Sequence, residues 1–189
     1  MESYVSLILG WIVYFFVHSL LAADSIKKYF KRQLGKNFSV YRVIYVLIST
    51  IGLWYLIRLN TSIHSELLFS NTISKYVGYV VMAIGISVIA QSFRKYSLSG
   101  FLGLANENSD LHVSGILKYV RHPIYLGTIL IVSGYWFVRP DYPTLTSVTM
   151  ILIYLVIGIR LEERKLVKAF GEAYLKYKRE VPMIFPRLK

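Results

Sequence analysis

Five apolar runs, each close to the length of a bilayer crossing, constrain this chain more than any other feature. They cover residues 4–23, 40–59, 76–93, 124–138 and 142–159. A membrane-spanning helix needs about 20 predominantly apolar residues, or about 17 at the lower end. The fourth run is the shortest and starts beside Pro123, so it either extends backward or forms a shorter helix. Hydrophobic residues make up 55% of the chain and the mean hydropathy is +0.50. That balance belongs to the membrane class rather than to soluble domains. The expected fold is all-α: a polytopic membrane helix bundle of about five spans, forming one domain over residues 1–189.

Lysine and arginine sort between the loops. Lys27, Lys28, Lys31, Arg32 and Lys36 lie between the first two runs, with Arg42 at the start of the second, and Arg94, Lys95, Lys118 and Arg121 lie between the third and fourth. The tail adds nine more, Arg160, Arg164, Lys165, Lys168, Lys176, Lys178, Arg179, Arg187 and Lys189, whereas the second and fourth loops are nearly free of such residues. Basic loops stay cytoplasmic, which places the N-terminus outside and the tail inside. The net charge of +12 is then read as contact with anionic lipid. No separate basic domain exists to support nucleic-acid binding. The first run lacks the basic lead and small-residue cleavage site of a signal peptide and is read as a retained helix. With no cysteine, disulfides, thiolate metal sites and a cysteine nucleophile are excluded.

The tail carries Val167, Phe170, Tyr174 and Tyr177 at helical spacing, which predicts an amphipathic cytoplasmic helix over about residues 161–178. Such a helix lies on the membrane or folds back as a lid. Pro182 and Pro186 end regular helix. Residues 97–114, rich in Gly, Asn and Ser, read as a loop.

Two ionisable clusters border hydrocarbon on the predicted cytoplasmic side. Charge there is costly and usually functional. The first is Arg121-His122-Pro123-Ile124-Tyr125, where the proline biases His122 away from helical angles and fixes a bend before the fourth run. The alternative for this tract is an interfacial belt at headgroup level. The second is Arg160 with Glu162 and Glu163. Adjacent helical residues point about 100° apart, so only one carboxylate need face a cavity. The other reading pairs them with Arg160, Arg164 or Lys165 in solvent. His18 and Ser19, near the cytoplasmic end of the first run, suit either a function or an interhelical hydrogen bond. No spacing of His112, His122 and a glutamate suggests a metal motif, so no metal is expected.

In order and spacing, these residues resemble the isoprenylcysteine carboxyl methyltransferase superfamily of integral membrane methyltransferases. The resemblance runs through Leu111, Ser114-Gly115, Arg121-His122-Pro123-Ile124-Tyr125-Leu126-Gly127, Glu162-Glu163, Phe170-Gly171, Tyr174, Tyr177 and Val181-Pro182, and covers residues 97–189. The first half, with His18-Ser19-Leu20-Leu21-Ala22 and Tyr41-Arg42, looks more like the nurim and methanethiol S-methyltransferase branch. Where the family often has Pro-Tyr after the glycine, this chain has Ile116-Leu117, leaving Tyr119 as the nearby tyrosine.

The resemblance implies S-adenosylmethionine as methyl donor, with S-adenosylhomocysteine as product. It implies cofactor contacts from Leu111, His112, Arg121, His122, Pro123, Tyr125 and Glu162, with Arg160 and Glu163 beside the acceptor. A small thiol or lipophilic carboxylate acceptor follows, together with membrane lipid as surroundings, a prokaryotic inner-membrane setting and no obligate protein partner. The rival readings are a phospholipid N-methyltransferase and a non-catalytic nurim-like membrane protein.

Overall fold

The computed structural model describes residues 2–95, 111 and 113–186. The predicted loop 97–110 and His112 lie outside the described residues. Those described are helical, with no strand among them. Six α-helices follow in order: α1 Glu2–Ala22, α2 Asp24–Leu34, α3 Phe38–Ser62, α4 Thr72–Lys95, α5 Pro123–Val138 and α6 Tyr142–Glu180. Short 3-10 turns cover Gly35–Asn37 and Gly115–Lys118. The protein is an integral membrane protein: Glu2–Ala22, Asp24–Ser62, Thr72–Phe93 and Tyr142–Glu180 are long and apolar enough to cross a bilayer. The expected fourth span is α5, a shorter apolar helix that starts at Pro123. Its 16 residues reach about 24 Å, against a hydrocarbon core of about 30 Å.

The chain gathers into two compact units. The first comprises Met1–Leu68 with Asp141–Met150. Here α2 turns part of the expected basic loop into an amphipathic helix. Ile26, Phe30 and Leu34 are partly covered, while Lys27, Lys28, Lys31 and Arg32 are exposed. Phe30 stacks on Tyr41 with ring centroids 4.7 Å apart, and Gly35, at φ 50°, ends the helix. A buried polar chain ties α1 and α3 to the start of α6. Trp11 donates to Ser147 at 2.9 Å, Ser147 to Asn60 at 2.8 Å, and Asn60 to Thr144 at 3.2 Å. The Thr144 amide donates to the Asp141 carboxylate at 2.8 Å, capping α6. Each of these side chains is buried, so each needs the partner it has. His18 is also partnered: its ring meets Ser49 at 3.1 Å and Tyr45 at 3.2 Å. That is the interhelical bond the sequence left open.

The second unit comprises Phe69–Pro140 with Ile151–Lys189. Its centre is the contact of α4 with α5, made through glycines a heptad apart on each helix. A β-carbon at Gly85 would stand 2.7 Å from the Gly127 carbonyl, and one at Gly78 would stand 2.6 Å from that of Gly134. The backbones touch because no side chain intervenes, a known device where lipid supplies no hydrophobic drive between helices. The short helix α5 is thereby held along its length.

The predicted tail helix is a continuation of α6. It breaks from helical geometry at Gly171, at φ 54° and ψ −130°, a conformation that favours glycine. Beyond the break, Tyr174, Tyr177 and Val181 form a buried cluster with Leu111, Val113, Leu166, Val167 and Phe170.

Candidate active site

Everything in this site belongs to the second unit. The His122-Pro123 bend works as the sequence suggests. His122 is the N-cap of α5 at φ −122° and ψ 66°, and Pro123 occupies the first turn, where its missing amide costs no hydrogen bond. The amides of Arg121 and His122 donate instead to the carbonyls of Pro182 and Met183, at 3.0 and 3.1 Å. The segment after α6 thus pairs with the Arg-His-Pro tract through its backbone. Tyr177 adds a bond from its hydroxyl to the Leu117 carbonyl at 2.7 Å.

Glu163 is the centre. It lies past the apolar stretch of α6, which ends at Ile159, and is 4% exposed. Its Oε1 accepts from Arg121 Nη1, from His122 Nε2 at 3.0 Å and from the Tyr174 hydroxyl at 3.0 Å. Lys178 Nζ sits 2.7 Å from Oε2. Burial alone pushes the Glu163 carboxyl up, but the hydrogen bonds of Lys178, His122 and Arg121, with the Arg121 charge, outweigh it and hold the carboxyl at about 2. The Tyr174 hydroxyl is pushed up by burial, and further by the Glu163 charge and hydrogen bond.

Glu162 faces a different direction. Its side chain is 45% exposed, and its Oε2 lies 3.8 Å from His122 Nδ1, too far for a hydrogen bond. The Tyr125 hydroxyl lies beside the same carboxylate. It packs over Gly158, where a β-carbon would come within 3.3 Å of it. The Tyr125 ring meets the His122 ring edge-on at 5.5 Å. The two carboxylates therefore divide their work: Glu163 is enclosed by donors, and Glu162 presents an acceptor to solvent.

The structure brings Arg121, His122, Pro123, Tyr125, Glu162 and Glu163 together. Leu111 joins through the tail cluster and lines an open groove of about 660 Å³ with Val113, Lys118, Tyr177 and Val181. Arg160 is exposed, and Tyr119 is turned outward. Among the described residues, no group of acidic and histidine side chains forms a metal site. Sequence reasoning missed Lys178 as a partner of Glu163. It also missed the Pro182 and Met183 carbonyls that receive the Arg-His-Pro amides.

A polytopic helical protein that seats an Arg-His-Pro-x-Tyr tract on paired glutamates next to its apolar spans has the makings of a membrane-embedded enzyme. The profile of the phospholipid methyltransferase family matches residues 73–173, which include both clusters, and the chain belongs to that family of membrane methyltransferases. It is 29% identical over 183 residues to a methanethiol S-methyltransferase of Crocosphaera subtropica, covering 89% of this chain and 69% of that protein. It is 41% identical over 71 residues to methanethiol S-methyltransferase 1 of Bradyrhizobium diazoefficiens, covering 38% of this chain but only 24% of that one. A protein-S-isoprenylcysteine O-methyltransferase of Xenopus laevis is 26% identical over 152 residues, covering 75% of this chain and half, 50%, of its own. No solved structure matches the chain.

Proposed function

We propose that this protein transfers a methyl group from S-adenosylmethionine to a small thiol. The observation that carries the reading is the divided glutamate pair: Glu163 closes the Arg-His-Pro tract against the tail, while Glu162, Tyr125 and His122 Nδ1 stand together on the open side. That open side is rich in hydrogen-bond acceptors. It suits a ligand with amino and hydroxyl donors, as the donor has in its aminoacyl and ribose parts, so the residues present fit the group. Glu162, His122 and Tyr125 would hold it, with Arg121, Pro123, Leu111 and His112 bordering it as the family resemblance implies. Bound there, S-adenosylmethionine supplies an electrophilic sulfonium methyl group.

The protein's own part is to bind and orient. Positioning of two reactants accounts for most of the acceleration in such a displacement. The thiol reacts as its thiolate once its proton has passed to solvent, and Arg160, exposed beyond the last apolar stretch, is assigned to the acceptor side. Glu163 was expected beside the acceptor. With Oε1 taken by three protein donors and Oε2 beside the Lys178 ammonium, we assign it instead to fixing the tract. The thiol acceptor rests on the Crocosphaera relative, whose match runs through most of this chain. The distribution of lysine and arginine supports an outside N-terminus and a site on the cytoplasmic face.

The deciding experiment uses detergent-purified protein. Calorimetric binding of S-adenosylhomocysteine is expected, weakened at least tenfold by Glu162→Gln, together with methyl transfer to methanethiol. The family profile favours one rival, a phospholipid N-methyltransferase. Methylated phosphatidylethanolamine in supplied vesicles, without thiol methylation, would establish that rival. No binding by folded protein would leave a non-catalytic, nurim-like membrane protein.

A further inference from the structure

We propose that Glu163 is a positioning residue that fixes the tautomer of His122, keeping the proton on Nε2 and offering the Nδ1 lone pair to ligand on the Glu162 side. The argument begins with what a carboxylate can do. An ionised carboxylate only accepts hydrogen bonds, so His122 Nε2, 3.0 Å from Glu163 Oε1, must carry the hydrogen. In a neutral imidazole the other nitrogen is then an acceptor. Carboxylates that hold a histidine's far nitrogen do this elsewhere, orienting the ring for the chemistry at its other side.

The surroundings make the arrangement specific. Arg121 and Lys178 already bring two cations to Glu163, and Tyr174 donates to it as well. The ring cannot turn over easily: its side chain is 3% exposed and the Tyr125 ring stands against it edge-on. On the far side, Nδ1 and the Glu162 carboxylate are 3.8 Å apart. The Tyr125 hydroxyl donates to that carboxylate, so the Nδ1 lone pair is the acceptor left facing the opening, and it suits a ligand that donates, an N–H or O–H group. Ligand placement at Nδ1 rests on the function proposed above, whereas the tautomer does not.

The test is nitrogen NMR on protein labelled with [15N]histidine in detergent. The chain has four histidines, and His122→Gln identifies the signal. At pH 8 the wild-type ring is expected as the Nε2–H tautomer with Nδ1 unprotonated. Glu163→Gln is expected to lower the tautomer ratio at least tenfold. Lys178→Ala, which removes only the Oε2 contact, is expected to leave it unchanged, although a loosened tail would affect both variants alike. A protonated Nδ1 in the wild type, or equal effects of the two variants, would overturn the proposal. The wild-type spectrum, assigned with His122→Gln, is read without Glu163→Gln, so a Glu163→Gln protein that fails to fold still leaves a result, a protonated Nδ1, that overturns the proposal. Added S-adenosylhomocysteine should move the Nδ1 resonance more than that of Nε2. Binding that leaves Nδ1 unmoved overturns the ligand-facing role. No binding, with the tautomer as stated, overturns the cofactor reading alone.

Discussion

Lys178 reaches back past the break at Gly171 to place its ammonium 2.7 Å from Glu163 Oε2. Along an unbroken helix the two residues would stand about 22 Å apart. The contact therefore reports the fold of the tail rather than the spacing of the sequence, and several consequences can be measured.

Removing Glu163 strands the Arg121 guanidinium in a buried place. Breaking a buried ion pair from one side costs about 3–5 kcal/mol. Glu163→Ala is therefore expected to lower the melting temperature in detergent sharply. Lys178→Ala removes a half-exposed partner, and pairs of that kind contribute only about 0–1 kcal/mol. Thermal melting of the two variants side by side checks the ranking, and equal losses would contradict it.

The same carboxylate predicts how stability depends on acid. Its folded value, about 2, lies below its ordinary 4.5. A depressed carboxyl favours the folded state above its unfolded value, and that contribution is lost as pH falls toward the folded value. The difference in melting temperature between wild type and Glu163→Gln should thus be constant from neutral pH to about 5 and shrink between 4.5 and 2. A difference independent of pH over that range would show that the carboxylate's charge contributes nothing.

Gly171 has open space where a β-carbon would go, but its φ is 54°. Gly171→Ala therefore meets strain in the backbone, of about 1–3 kcal/mol, and no steric clash. Straightening the helix relieves that strain and withdraws Tyr174 and Lys178 from Glu163. Faster proteolysis after residue 171 is expected, along with weaker S-adenosylhomocysteine binding. Unchanged cleavage kinetics would mean that the tail keeps its bend without glycine.

The α4–α5 contact tolerates no added atoms. Gly85→Ala puts a carbon 2.7 Å from the Gly127 carbonyl and 2.9 Å from Ile131. Overpacking of this kind costs about 1–3 kcal/mol. In Gly10→Ala the nearest atom is the end of the Leu56 side chain, at 2.9 Å, which can move aside. Melting temperatures should fall clearly for the first variant and little for the second.

Asn60 both accepts from Ser147 and donates to Thr144 in a buried setting. Asn60→Leu leaves those hydroxyls without their partner, at a cost of about 1–3 kcal/mol. Adding Thr144→Val, which removes one of the stranded hydroxyls, should recover part of the loss, as a double-mutant cycle of melting curves would reveal.

The membrane class, the positions of the apolar runs and the pairing of two polar clusters were all legible in the sequence, because each depends on local composition. Apolar residues in runs of bilayer length have few other destinations, and Pro123 fixes the bend at His122 whatever surrounds it. The heptad spacing of Gly78 with Gly85 and of Gly127 with Gly134 was also present to be read, as was the 26, 30, 34 stripe of α2. What the sequence left open was which of two adjacent glutamates is enclosed. Glu162 and Glu163 are chemically alike, and their difference arises only when α6 breaks at Gly171 and returns Tyr174 and Lys178 to one of them. A straight helix cannot bring residues 11 and 15 positions apart onto one carboxylate, so that assignment belongs to the tertiary structure. The local sequence determined that charge would stand at the membrane edge. The fold of the tail decided that one carboxylate is enclosed by donors while the other remains exposed.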